Sequence, residues 1–198
     1  DLSPTGIAQL SYLADFIKSE IDHHENLEKI RLYTSPMIRA AKTAYAIQKS
    51  TGLPMNFHSD IFETGGIYLE ENGAHCGKSG INDHFISATF PDVILPPFVT
   101  AEGWYNRPHE TQLEARSRAN KIVNELKTMV VTNDVVLLVS HGSFFQEFLS
   151  AMTNSQMGNK IWFNMNNCGV TCISLDGDEN IEIRYLNRFD FLPSSLIT

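Results

Sequence analysis

Residues 29–44 read KIRLYTSPMIRAAKTA, and their pattern sets the architecture. KIRLYTS (29–35) reads as a short strand. Ser35 is then a capping residue, Pro36 suits the first helical position, and Gly52 stops the helix that follows. Strand, short turn and helix recur further on. DVVLLVS (134–140) is a continuous apolar run, the mark of a strand buried on both faces of a parallel sheet. It stops on His141 and Gly142, and SFFQEFLSAM (143–152) reads as the helix beyond.

The flanking segments extend the alternation. Ser3 and Pro4 open a first helix in which Ile7, Leu10, Leu13, Ile17 and Ile21 recur at three- and four-residue steps. MNFHS (55–59) suits a second strand, and a helix is predicted over about 111–129, with Leu113, Ala115, Ala119, Ile122, Val123 and Leu126 on its apolar face. GVTCISL and IEIRYLN read as two closing strands joined at DGDEN as a hairpin. Strands alternating with helices indicate α/β: a three-layer α/β/α sandwich with a mostly parallel central sheet. One domain over 1–198 is expected. Residues 60–108 show no periodicity and are rich in glycine, proline and aromatics; so long an irregular connection in a compact domain is usually functional, and it reads as a substrate-loop insertion.

The chain carries a net charge of −8, with 42% apolar and 19% charged residues. An acidic average field disfavours nucleic acid and anionic membrane as partners, though a small basic pocket still admits an anion. No apolar run reaches membrane-spanning length. Cys76, Cys168 and Cys172 are odd in number and lie in no metal-ligand spacing, which points to a reduced, cytoplasmic setting.

In open α/β sheets, ligands bind beyond the carboxyl ends of the strands, often at helix N-termini. Arg39 and His141 stand at two such junctions. Arg39 lies about one turn into its helix and offers a planar fork for phosphate oxygens. His141 precedes Gly142, which permits close backbone approach at a helix start. Taken singly, Arg39 reads equally as a surface cation paired with a carboxylate, and His141 as a satisfied core histidine.

Together, TSPMIRAAKTA (34–44) and VLLVSHGS (136–143) resemble the histidine phosphatase superfamily, with its phosphoglycerate mutase-like fold. DLSPTGIAQLSYLADFI looks like that family's first helix, and IFETGG like its Leu-x-Glu-x-x-x-Gly stretch. RPHETQLEARSRANKI looks like its Gly-Glu-Ser segment, with His109 for Gly and Thr111 for Ser. NNCGVTCISL looks like its late strand. The family's Arg-His-Gly tripeptide, at the end of a first strand, occurs nowhere in the chain. The resemblance implies that this strand lies mid-sheet and that its loss would leave two unpaired edges, so roughly 15–30 upstream residues are expected.

The resemblance implies a metal-independent phosphatase acting on a small phosphorylated metabolite through a phosphohistidine, with no cofactor. Arg39, His141 and Gly142 would hold the phosphoryl oxygens. Glu63 would be the proton donor, its Gly-rich apolar setting favouring the protonated form that a general acid needs; Glu110 is the rival acid. Trp104 and Tyr105 could wall a substrate pocket, with Arg107 meeting a second anionic group, or they could simply anchor the loop. His23, His24, His58, His75 and His84 form no ligand spacing. A phosphoglycerate-type mutase and an inactive binding module remain alternatives, and the edge strands of the closing hairpin would suit a homodimer.

Overall fold

The computed structural model describes residues 1–22, 26–129, 134–155, 161–176 and 180–198. The elements run α1 (Pro4–Ile21), β1 (Ile30–Thr34), α2 (Ile38–Thr51), β2 (Met55–Phe57), β3 (Tyr68–Glu71), β4 (Ala74–Gly77), α3 (Asp83–Thr89), α4 (Gln112–Met129), β5 (Val135–Val139), α5 (Gly142–Met152), β6 (Val170–Leu175) and β7 (Ile181–Arg188).

The central sheet is parallel, in the order β2-β1-β5, with Leu32 opposite Met55 on one side and Leu137 on the other. The period-two alternation of β1 and β5 sends side chains to two cores. Ile30, Leu32, Val135, Leu137 and Val139 meet α1, α2 and α3; Tyr33, Val136 and Leu138 meet α4 and α5. This is the three-layer α/β sandwich. β6 and β7 form a separate antiparallel pair, β6 bordering the same two cores through Val170 on one side and Ile173 and Leu175 on the other. Among the described residues, β5 and β6 are not hydrogen-bonded to one another and each has one edge without a neighbouring strand. That open edge explains why every residue of β5 is only half-buried, although its apolar run reads as a fully buried strand.

Other differences have local causes. Residues 60–108 are not structureless: they hold the β3–β4 hairpin and α3. Asn72 and Gly73, with φ of 53° and 78°, supply the two left-handed positions of a tight hairpin turn, and Asn82 caps α3 by accepting from Phe85 N. Leu113 is 76% exposed because α4 turns Ala115, Ala119, Ile122 and Val123 inward instead. Thr111 and Glu114 open α4 with reciprocal bonds, Thr111 N to Glu114 Oε2 at 2.7 Å and Glu114 N to Thr111 Oγ1 at 3.3 Å. In DGDEN, residues 177–179 lie outside the described residues, as do His23 and His24. No described helix is long and apolar enough to cross a membrane.

Leu32 is fully buried at the centre of β1, in the core that β1 shares with α1, α2 and α3. Leu32→Ala should lower the unfolding free energy by about 2–5 kcal/mol, read from urea denaturation of the purified protein.

Candidate active site

β1 and β5 are adjacent and parallel, so the chain leaves both at the same end of the sheet. Ser35 N continues the ladder by donating to Val139 O at 3.0 Å, which holds the two exits side by side. His141 follows Ser140 off β5 and is buried, at 8% exposure. Its Nε2 shares a 2.8 Å hydrogen bond with Ser35 Oγ, which also accepts from Met37 N. The cap expected at Ser35 is corrected: α2 starts only at Ile38, its N-cap Met37 makes no side-chain capping bond, and Arg39 falls within the first turn.

Burial first, and then the Arg39 and Arg118 guanidiniums, push the His141 imidazole from an ordinary 6.5 down to about 3. It is therefore neutral near pH 7, with one nitrogen a donor and the other an acceptor. Two arginines influencing one buried imidazole make this a basic spot in an acidic protein. Gly142 opens α5, and a Cβ there would meet no heavy atom within 4 Å, so what the glycine leaves is open space beside the helix start.

Glu63 reaches the same place from the loop after β2. Its Oε1 accepts from Phe144 N at 2.9 Å, in the first turn of α5, and from Thr64 N at 3.0 Å. Its Oε2 lies 3.7 Å from an Arg39 guanidinium nitrogen. The setting is polar, not the apolar one the neighbouring sequence led us to expect. Arg39 itself is half exposed, turned to the open side of the site.

The loop is held by groups the sequence reading did not single out. Ser140 Oγ donates to Ile61 O at 2.7 Å. Arg118 donates through Nη1 to the carbonyls of Asp60 and Phe62, and through Nε and Nη2 to both oxygens of Glu110, at 2.7 and 2.6 Å. Its guanidinium lies 3.6 Å from the Phe62 ring centroid and 4.2 Å from that of Phe144. Nothing in the helical periodicity around Arg118 marks it as buried. Gly65 and Gly66 turn the loop with φ of 91° and 74°, and a side chain at Gly66 would collide with the Tyr105 hydroxyl.

Arg39, Glu63, His141 and Gly142 thus converge. The other three candidates do not join them. Trp104 is 4% exposed and packs on Phe62, Tyr105 and Gly80, so it is core and not a pocket wall. Glu110 is committed to the Arg118 fork, which makes it a strut and no longer a rival acid. Arg107 stacks over Phe62 and Tyr105 and lies 3.5 Å from Asp60. Burial would raise the Asp60 carboxyl, but its bond to Lys121 and the charges of Lys121, Arg107 and His58 outweigh this and hold it below its usual range. Among the described residues no group of three or more His, Cys, Asp or Glu could hold a metal.

The family model described as histidine phosphatase superfamily (branch 1) matches residues 1–188. The chain belongs to the histidine phosphatase superfamily. Solved structures agree at the level of fold. A mycobacterial glucosyl-3-phosphoglycerate phosphatase in complex with VO3 is 19% identical, over 94% of this chain and 87% of that one, with a TM-score of 0.61. The phosphoserine phosphatase of Entamoeba histolytica, a mutant in complex with phosphoserine, is 16% identical over 98% and 87%, with a TM-score of 0.60. YhfR of Bacillus stearothermophilus is 17% identical over 92% and 82%, with a TM-score of 0.56. No curated protein sequence matches the chain. Within this superfamily member, the four converging side chains and backbone groups sit where an open α/β sheet offers its ligand site.

Two outcomes test the geometry. Because His141 resists protonation in the folded state, the unfolded state binds more protons between about pH 3 and 6.5, and stability should rise with pH across that window. Urea melts between pH 5 and 6.5, above the ordinary carboxylate range, should show this slope in the wild type and a flatter one in His141→Gln. Gly66→Ala should cost on the order of 2 kcal/mol by the same melts, since it adds both backbone strain and a clash.

Proposed function

We propose that the protein is a metal-independent phosphatase that hydrolyses a small phosphomonoester through a phosphohistidine. The observation that carries this is the convergence of Arg39, Glu63, neutral His141 and the open start of α5 at the carboxyl ends of β1 and β5. The nucleophilic histidine is supplied by a further strand seated between β5 and β6. In support, these two strands border the same two cores and yet do not pair among the described residues.

On this reading the Arg39 guanidinium, an imidazole N–H of His141 and the Gly142 N–H meet the non-bridging oxygens and take up charge there. The nucleophilic nitrogen forms an N–P bond as the ester P–O bond breaks, and Glu63 gives its proton to the leaving alcohol oxygen. Glu63 then accepts a proton from water as that water attacks phosphorus, releasing inorganic phosphate and the free histidine. The substrate is a small phosphorylated metabolite and the setting cytoplasmic.

The test is an intact-mass spectrum of the full natural gene product, mixed briefly with an aryl phosphate in EDTA and quenched in alkali. One base-stable phosphoryl adduct with release of inorganic phosphate supports the proposal; no adduct and no release sinks it, leaving a binding module. Stimulation by a bisphosphorylated compound with little net phosphate release would move the reading to a mutase. Arg39→Ala should lower kcat/KM by about 100-fold or more, the scale of losing one transition-state donor. Glu63→Gln should slow alkyl phosphates far more than nitrophenyl phosphate, whose leaving group needs no proton.

A further inference from the structure

Ser35 follows β1 and His141 follows β5, and the hydroxyl between them governs more than where the ring lies. Ser35 is fully buried, at 0% exposure. Its Oγ has two polar neighbours among the described residues: Met37 N, which donates to it at 3.2 Å, and His141 Nε2 at 2.8 Å. A backbone N–H can only donate, so the bond from Met37 uses an oxygen lone pair and leaves the hydroxyl proton unplaced. The backbone of Ser35 is engaged elsewhere, its N–H with Val139 O and its carbonyl with the Thr34 hydroxyl. Among the described residues, Nε2 is then the one acceptor offered to the Ser35 proton.

Two arrangements of protons are open to this pair. In the first, Nε2–H donates to Oγ; the oxygen accepts twice, and its own proton points into a dry interior with nothing to receive it. A buried donor left unmet carries its full desolvation penalty. In the second, the hydroxyl donates to a bare Nε2, and each group of the pair is satisfied. The ring holds a single proton near pH 7, since burial and the charges of Arg39 and Arg118 disfavour another. With Nε2 bare, that proton sits on Nδ1. Nδ1 makes no hydrogen bond among the described residues, yet it is not among the buried polar atoms closed off without a partner, so it keeps access to solvent. Glu63 does not take it: one carboxylate oxygen accepts from Phe144 N and Thr64 N, and the other faces Arg39.

We propose that Ser35 is a positioning residue: by donating to His141 Nε2 it holds the imidazole proton on Nδ1 and presents that N–H to an anion bound at the starts of α2 and α5. Its bearing on an anion rests on the phosphatase reading; the placement of the proton does not. A free histidine side chain in water favours Nε2–H, so the buried hydroxyl reverses the ordinary preference. Turned the other way, the pair would set a bare nitrogen against the phosphoryl oxygens, acceptor facing acceptor. The orientation of one O–H thus decides whether His141 attracts or repels an anion. Nδ1–H is then the imidazole donor to a non-bridging oxygen, and no proton leaves the ring.

The experiment reads the tautomer itself. In the full natural protein, isotope-labelled at nitrogen, long-range proton–nitrogen spectra near pH 7 should show His141 Nδ1 protonated and Nε2 bare. Ser35→Ala removes the donor, and the signals should move toward the Nε2–H form. Its kcat should fall about tenfold, the scale of one hydrogen bond, with KM changed less than about threefold. Ser35→Thr, which keeps the hydroxyl, should return both readouts. Where its added methyl prevents folding, two replacements at His141 decide instead. An asparagine amide nitrogen falls near the place of Nδ1 and a glutamine one near that of Nε2, so His141→Asn should retain roughly tenfold more activity than His141→Gln. Nε2–H in the wild type, or Nδ1–H unchanged in a folded Ser35→Ala protein, overturns the proposal. So does a His141→Gln protein as active as His141→Asn. An Nδ1–H that depends on Ser35, in a protein that neither hydrolyses an aryl phosphate nor shifts its Nδ1 signal with inorganic phosphate, supports the positioning role while sinking the phosphatase reading. Hydrolysis with Nε2–H in the wild type sinks the positioning role alone.

Discussion

The Arg118 guanidinium is a cation held almost out of water, and the loop that carries Glu63 depends on how it is satisfied. Taking such a charge from solvent costs several kcal/mol, which only good geometry and full hydrogen bonding offset. Here both edges are used: a two-pronged bond to Glu110, and two backbone carbonyls on the loop, with Phe62 and Phe144 closing over the faces. A lysine would bring a point charge with no plane to stack and no fork to match a carboxylate. One side chain of α4 thus fixes the loop at Asp60 and Phe62, the segment before α4 at Glu110, and the first turn of α5 at Phe144. The rest of the site is assembled on those three anchored pieces.

The electrostatics follow from that assembly. The chain as a whole is acidic, yet Arg39 and Arg118 both bear on the His141 imidazole, and the free backbone N–H groups of α5 add to the same positive field. Overall charge sets long-range behaviour; a recess with fixed cations and dipoles sets what binds inside it. Glu63 answers part of this field, lying between the α5 N-terminus and Arg39. On the proposed function, a phosphoryl group drawn to Arg39 would compete with Glu63 for the same cation and loosen the carboxylate.

The layered architecture was readable because its signals are local and periodic: Ser3 and Pro4 at one helix start, Gly52 at a helix end, the apolar runs of β1 and β5. Arg39, Glu63, His141 and Gly142 were readable through family resemblance, since spacing alone leaves each of them ambiguous. Trp104 was left open between pocket wall and loop anchor because an aromatic in an aperiodic segment looks the same in either role; only its contacts with Phe62 and Gly80 place it in the core. The β3–β4 hairpin carried the Asn-Gly signal in Asn72 and Gly73, but its strands are short and exposed, so no alternation accompanied the turn. Resemblance marks an arginine in the helix that RPHETQLEARSRANKI opens, but periodicity could not single out Arg118, because its burial depends on rings and a carboxylate that are brought together only by the fold.

The helix starts show how the site is kept open. α1, α3 and α4 are capped from within or immediately before themselves, by Ser3, by Asn82 and by the reciprocal Thr111–Glu114 pair. α2 and α5, the two helices that point into the site, are not: Met37 and His141 occupy their cap positions without any side-chain capping bond. Ser35 stands ahead of the cap position, its hydroxyl bonded to His141 and accepting from Met37 N, and Glu63 reaches from a distant loop to satisfy one N–H of α5. A missing cap costs roughly 1 kcal/mol. Leaving these two helix starts incompletely satisfied keeps N–H groups turned outward, which is the condition for binding an anion there. The Ser35 hydroxyl therefore links the two junctions, setting the His141 imidazole in place while it accepts from Met37 N just ahead of α2.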